Sequence, residues 1–267
     1  MIKSNFHTHN HFCDGLNSPL EMAEKAYSLN FISLGFSGHA HGDVEFYSMS
    51  KEDQNRYFAE ISILKEKYKG KMEILCGLEM DLYSSKPEIT PDYTIASVHY
   101  TKKNGEYLSV DESAESQAAI IKNYYNESFE NYAEDYFQTL VTAVEKIQPD
   151  IIGHIDLLMK FCETHNIPET EKYLKIAEKY IKILCTFDVP FEINTGAMAR
   201  GKRTTPYPSK NLLKLIKQYG GEICINSDCH NKDFLDFGYN DAENLAKACG
   251  FKYHILRSKD GRKKVNF

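Results

Sequence analysis

Seven short apolar runs in this chain each stop at a side chain of the kind that binds metals. Ser4-Asn5-Phe6 leads into His7-Thr8-His9, residues 31–36 into His39, residues 73–78 into Glu79 and residues 93–98 into His99. Ile151-Ile152-Gly153 leads into His154, Phe191-Glu192-Ile193 into Asn194, and Ile223-Cys224-Ile225-Asn226 into Ser227-Asp228-Cys229-His230. Runs of this length, rich in branched residues and bounded by Gly or Pro, read as buried strands. If the strands are parallel, every ligand falls at a carboxyl end, on one face of one sheet, where barrel enzymes build their active sites. The pattern predicts a metalloenzyme.

Helical stretches follow most of the runs. Residues 18–29 open with Ser18-Pro19-Leu20-Glu21, a helix start with Pro at the first position and an acid in the first turn. Residues 51–68 carry Tyr57, Ile61, Leu64 and Tyr68 at helical spacing, and Gly70 stops them. Further helices are expected over 127–147, 169–187, 209–219 and 241–249, and a last short strand over 253–256. Repeated strand–helix units imply an α/β fold with a parallel sheet and helices outside it. Seven or eight units suggest a closed barrel, with an open sheet as the alternative. Two stretches exceed what a connection needs: 101–126, polar and acidic, and 195–208. Both would emerge on the ligand face, where long loops are usually functional.

At 267 residues, 42 % hydrophobic and 26 % charged, the chain has the composition of one large α/β domain spanning 1–267. A net charge of −6 argues against a general nucleic-acid binder, yet leaves room for a phosphorylated substrate, because bound cations reverse the local field. No apolar stretch approaches the roughly 20 residues of a membrane helix. The first strand begins at once, so no signal peptide is expected. The seven cysteines are scattered, odd in number and without CxxC spacing, as reduced thiols in the cytoplasm would be.

His7 and His9 are two residues apart at a strand end, so both imidazoles point to one side and can reach one ion. Asp228 and His230 repeat that spacing, and Asp14 follows close enough to return to the same rim. Glu79 is the natural bridge, since one carboxylate can bind two cations about 3.5–4 Å apart. Imidazole and carboxylate without thiolate suit Zn, Fe or Mn and disfavour a structural zinc cluster. Alternation turns Cys229 away from the ligands, as a packed thiol. His165 and His254 read as surface or helix-side residues, and His11 and His41 as neighbours of the site.

The ordered set His7-Thr8-His9, Asp14, Gly38-His39, Gly77-Leu78-Glu79, Ser97-Val98-His99, Gly153-His154-Ile155-Asp156, Glu192-Ile193-Asn194-Thr195-Gly196 and Ser227-Asp228-Cys229-His230 resembles the polymerase and histidinol phosphatase (PHP) family. It is most similar to the histidinol-phosphatase branch, over nearly the whole chain. The resemblance implies a distorted (β/α)7 TIM-like barrel holding three divalent metal ions. One ion would take His7, His9, Glu79 and Asp228, a second Glu79, His99 and His154, and a third Asp14, His39 and His230. Family members often carry histidine where this chain has Asp14, a difference that bears on the metal bound there.

The implied reaction is hydrolysis of L-histidinol phosphate to L-histidinol and phosphate, in histidine biosynthesis. Cations bridged by Glu79 would share a water and lower its pKa, and the hydroxide would attack phosphorus. Asp228 or His230 would protonate the leaving group. No Ser or Cys sits in a nucleophile motif, so no phosphoenzyme is expected. A phosphate clamp needs cations on the same rim, and Lys160, Arg200 and Arg203 are the candidates. Asp43, Glu45 and the Tyr-rich end of 101–126 are available to the imidazole and amine of histidinol. The alternatives are another PHP phosphoesterase, acting on a nucleotide or other small phosphate, a non-catalytic metal-binding module of the kind found in replicative polymerases, and a metal-dependent amide hydrolase on a similar barrel, whose usual bridging lysine has no counterpart at a strand end. The oligomeric state is open.

Overall fold

Alternating apolar runs and amphipathic segments build a parallel sheet wrapped by helices. The computed structural model describes residues 3–44 and 46–267. In chain order its elements are β1 (Ser4–Asn5), α1 (Pro19–Ser28), β2 (Ser33–Phe36), α2 (Lys51–Tyr68), β3 (Glu73–Met80) and β4 (Tyr93–Ala96). A hairpin of β5 (Tyr100–Lys103) and β6 (Glu106–Ser109) follows, then α3 (Ala114–Tyr124), α4 (Phe129–Ile147), β7 (Ile151–Ile152), α5 (Cys162–His165) and α6 (Glu171–Leu184). The chain continues through β8 (Phe191–Asn194), α7 (Gly196–Ala199), α8 (Lys210–Gln218), β9 (Ile223–Asn226), α9 (Tyr239–Ala248), β10 (Tyr253–Ser258) and β11 (Gly261–Asn266).

The main sheet runs β1-β2-β3-β4-β7-β8-β9, and every pair in it is parallel. Thr8 bridges Cys229 in parallel, which brings β1 to β9 and nearly closes the sheet into a barrel. Side chains complete that seam. The Phe6 amide donates to Asn226 Oδ1 at 2.8 Å, and Asn5 Nδ2 donates to Ser227 Oγ at 2.6 Å. The distortion of the (β/α)7 plan is local. Two barrel strands are two residues long, and β3 passes to β4 through residues 81–92 without a helix, about the dozen residues a parallel crossover needs.

Helix boundaries follow local chemistry. Ser18 accepts from the Glu21 amide while Glu21 reaches back to the Ser18 amide, a capping box that starts α1. Ser50, Ser113, Ser128, Thr170 and Ser209 cap five further helices. Two large apolar clusters lie under the outer helices, and a smaller one fills the barrel interior. There Tyr93 is wholly buried, and its hydroxyl donates to the Phe6 and Phe36 carbonyls at 2.7 and 3.0 Å. A Cβ at Gly77 would lie 2.4 Å from that ring, so only glycine leaves room for it.

The structure corrects three expectations. Residues 101–126 are not a loop: they fold as β5, β6 and α3, a unit standing beside the ligand face. The final strand has an antiparallel partner, β11, and Leu256 and Val265 of that hairpin close the interior cluster from below. His254 is no surface residue. It is 3 % exposed, faces Val265 in register, and stacks on Phe267 with ring centroids 5.4 Å apart.

Candidate metal centre

All nine expected ligands come together at the carboxyl ends of the barrel strands. Pairing of Thr8 with Cys229 turns the Thr8 hydroxyl outward, onto the Gly35 carbonyl, and leaves His7 and His9 inside. His39 pairs with Glu79 in a second parallel bridge, just beyond β2. Glu79 itself lies within β3 rather than past its end. Asp228 adopts a left-handed backbone, φ +47°, at the turn after β9; this conformation is uncommon outside glycine and tolerated by Asp.

Glu79 is the centre of the arrangement. Its Oε1 receives the Ser97 hydroxyl at 2.6 Å and faces His154 Nε2 at 3.1 Å and His99 Nε2 at 3.6 Å. Its Oε2 faces His7 Nε2 at 3.2 Å, His9 Nε2 at 3.4 Å and His39 Nδ1 at 3.2 Å. The two oxygens of one buried carboxylate thus address two separate sets of imidazoles. Asp228 Oδ1 stands 3.3 Å from His9 Nε2 and 3.7 Å from His7 Nε2. On the outer side, Asp14 Oδ2 meets His230 Nε2 at 3.0 Å, and Asp14 Oδ1 lies 3.4 Å from His9 Nδ1 and 3.7 Å from His39 Nε2.

Ligand atoms within 4.8 Å of one another fall into overlapping groups. One is His9, Asp14, His39 and His230; the others are His7, His9 and Glu79; His7, His154 and Asp228; and His39, Glu79 and His99. Among the described residues these resemble the three expected sets with three differences. His9 joins the outer group, Asp228 groups with His7 and His154, and His39, not His154, groups with Glu79 and His99.

The electrostatics ask for positive charge here. Burial alone would raise the Glu79 pKa, but His7, His39 and His99 outweigh it and hold the carboxyl well below the usual range. Asp228 is likewise held down against burial, chiefly by Arg200 and His7. Burial would lower the His7 pKa, yet Glu192, Glu79 and Asp228 raise it well above its ordinary value. Burial and the neighbouring His9 push His39 the other way, to about 3. His7 Nε2 and His9 Nε2 are buried without a well-directed hydrogen bond, although Glu79 Oε2 is 3.2 and 3.4 Å away. A proton or a metal cation satisfies such facing lone pairs, and imidazole with carboxylate is a donor set for Zn, Fe or Mn. The residues fit the ions that the sequence implies.

A cavity of about 280 Å³ opens onto the cluster. Arg200 and Lys160 line it. Arg200 Nη2 meets Asp228 Oδ2 at 3.0 Å, and its Nη1 lies 2.9 Å from His230 Nδ1. Lys160 Nζ is paired with Asp111 Oδ2 at 2.7 Å. Arg203 does not reach the cavity. Its guanidinium is buried over the Tyr207 ring, 4.5 Å from the centroid, with Asp156 Oδ2 at 3.8 Å, so its charge serves the interior packing.

Of the residues offered for the organic end of a substrate, Asp43 is exposed and Glu45 lies outside the described residues. The Tyr-rich end of 101–126 turns elsewhere: Tyr124 bonds Glu106 and Tyr125 bonds Asp135. The same segment contributes Ser109, Asp111 and Glu112 to the cavity instead. His11 is exposed, and His41 is tied to the Met49 carbonyl and the Gln54 side chain.

Four contributors escape the reading of strand ends. Ser97 holds Glu79, and Asp81 accepts from the His99 amide at 2.7 Å. Tyr47 lies over His39, ring centroids 4.5 Å apart, and lines the cavity. Glu192, inside β8, receives His7 Nδ1 at 2.8 Å. Asp81 and Ser97 had a local signal, the i, i+2 spacing from Glu79 and from His99; Glu192 and Tyr47 meet their partners only through the fold.

The family model of the PHP domain matches residues 5–196. The histidinol-phosphatase of Bacillus subtilis (strain 168) is 25 % identical over 261 residues, covering 90 % of this chain and 97 % of its own. That of Lactococcus lactis subsp. lactis (strain IL1403) is 28 % identical over 283 residues, covering 98 % of this chain and 96 % of its own. A histidinol phosphate phosphatase from the same Lactococcus, solved with Zn, L-histidinol and phosphate, aligns with a TM-score of 0.73 at 22 % identity, over 98 % of this chain and 99 % of its own. The structural likeness establishes the shared fold.

Proposed function

The chain belongs to the PHP domain family, and we propose that within it this protein hydrolyses a phosphate monoester, L-histidinol phosphate, to L-histidinol and phosphate. The observation that carries the reading is the split carboxylate of Glu79. One oxygen faces His99 and His154, the other His7, His9 and His39, as a bridge between two cations requires. The substrate is supported by the relatives named histidinol-phosphatase and by the Lactococcus protein's bound histidinol and phosphate.

Three divalent ions, Zn, Fe or Mn, are assigned to the nine ligands. His7, His9, Glu79 and Asp228 would hold one, Glu79, His99 and His154 the second, and Asp14, His39 and His230 the third. Bound there, they supply Lewis acidity for the phosphoryl oxygens and acidify a water. The chain supplies the rest. Arg200 and Lys160, on the cavity wall, bind phosphate oxygens, and Arg200 carries the stronger case because its planar donors suit a phosphate. Arg203 is left out of the clamp. His230 is the candidate for protonating the departing alkoxide, a poor leaving group that needs a proton, and Asp228, held ionised beside Arg200 and His7, is the weaker one. Glu112, brought to the cavity by the β6–α3 connection, suits the cationic end of histidinol, whereas Asp111 beside it is paired with Lys160. Reduced cysteines fit a cytoplasmic enzyme.

Phosphate release from L-histidinol phosphate, measured with and without chelator and beside a panel of nucleotides and other small phosphates, tests the reading. Chelator-sensitive release with the highest kcat/KM for histidinol phosphate is expected. A higher value for a nucleotide would move the substrate within the same reaction class. No release from any ester by the metal-loaded protein would overturn the enzymatic reading.

A further inference from the structure

We propose that Glu192 is a positioning residue that fixes the tautomer of His7 and so keeps His7 Nε2 free as a metal ligand; the inference rests on the metal centre proposed above. Glu192 is wholly buried in β8, beneath the ligands. Its Oε1 receives His7 Nδ1 at 2.8 Å and the Asn226 side-chain amide at 2.9 Å. Its Oε2 receives the His154 backbone N–H at 3.1 Å and the Asn194 side-chain amide at 2.9 Å. Four donors fill the four lone-pair positions of an ionised carboxylate.

Three of those donors cannot become acceptors. The His154 donor is backbone. The Asn226 amide is pinned because its Oδ1 accepts from the Phe6 N–H, and the Asn194 amide because its Oδ1 accepts from the Gly196 N–H. Only imidazole can exchange a donor for an acceptor at the same atom. An ionised Glu192 therefore requires the proton on His7 Nδ1. The Nε2 lone pair then faces Glu79 Oε2 at 3.2 Å and Asp228 Oδ1 at 3.7 Å, where a cation belongs. Carboxylates commonly hold ligating histidines in this way.

The chemistry makes Glu192→Gln a sharp probe. The new NH₂ must face one pair of donors. On the Oε2 side it would meet two fixed donors, and on the Oε1 side one fixed donor and His7. The amide nitrogen therefore turns to His7, which answers by accepting at Nδ1 and carrying its proton on Nε2. That proton stands where the metal should be.

The experiment uses the full chain loaded with Zn²⁺ alone. Nitrogen-15 NMR of the wild-type protein should find a proton on His7 Nδ1. Glu192→Gln should lower Zn affinity about 10–100-fold by chelator competition, and in the metal-free variant His7 should carry its proton on Nε2. Glu192→Asp, which keeps the charge, should recover part of the affinity. Excess Zn²⁺ should restore kcat in Glu192→Gln more than KM. An unprotonated His7 Nδ1 in the Zn-loaded wild type overturns the proposal even if the variant does not fold. So does a folded Glu192→Gln protein with wild-type Zn affinity. A wild-type protein that binds no Zn²⁺ instead removes the metal centre itself, and the inference goes with it.

Discussion

A carboxylate stripped of water must be compensated by cations, and at Glu79 that compensation arrives on both oxygens from different strands. Glu79→Gln keeps the shape and removes the charge, so metal content should fall and turnover drop by at least roughly 10³-fold, since activation of the water depends on both ions. Metal analysis with kcat measurement checks this, and near-normal turnover in the loaded variant would sink the assignment. Arg200 touches Asp228 and His230 and also faces the cavity. Arg200→Met should lower kcat/KM by about 10²-fold through lost phosphate contact. Wild-type kinetics in that variant would return the clamp to Lys160. Asp228→Asn and His230→Asn, compared at matched metal occupancy, should damage histidinol phosphate hydrolysis more than hydrolysis of an activated aryl phosphate, which leaves without a proton. Equal losses on both esters would withdraw the general-acid role.

Among the elements, the β10–β11 hairpin carries a titratable group of its own. Burial pushes the His254 pKa down to about 4, with Glu243 opposing weakly. The unfolded chain takes a proton there below about 6.5, whereas the folded chain holds off until about 4. Stability is therefore full above pH 6.5 and lost as pH falls towards 4, by ~2 kcal/mol at pH 5. His254→Phe should lose less Tm than wild type between pH 7.5 and pH 5, by about 5 °C. Parallel pH curves for the two proteins would contradict the buried, neutral histidine. This hairpin also shows where sequence reading stops. Gly261–Asn266 carries Arg262, Lys263 and Lys264 and only Val265 turned inward, so no apolar alternation announces a strand. The β5–β6 hairpin and α3 were hidden likewise by their polar and acidic composition. The ligand-bearing strand ends were legible because their signal is local: apolar runs, and i, i+2 alternation that puts His7 with His9 and Asp228 with His230 on one side. Arg203 misled because a loop cation looks the same whether it faces a cavity or an Asp156 that comes close only in the folded chain.

At the scale of the whole molecule, the proposed ions tie together strands from every part of the barrel. Ions that bind only the folded chain stabilise it by RT ln(1 + [L]/Kd), about 2.7 kcal/mol at a hundredfold excess over Kd. Chelation should thus lower Tm by about 5–10 °C as well as abolish activity, and added Zn²⁺ should restore both. Melting curves with and without chelator check this, and an unchanged Tm in a demonstrably metal-free protein would count against ligands drawn from the whole fold. The β1–β9 seam carries a further meaning for how the protein is made. His7 and His9 leave the ribosome first among the ligands, and Asp228 and His230 last. The parallel bridge of Thr8 to Cys229 cannot form until then. A nascent chain halted before β9 holds imidazoles and Glu79 but lacks the carboxylate and the seam that bring them into register. Competence therefore arrives late in synthesis: an interrupted translation product can hold Glu79, His99 and His154, but the sets that need Asp228 and His230 stay incomplete.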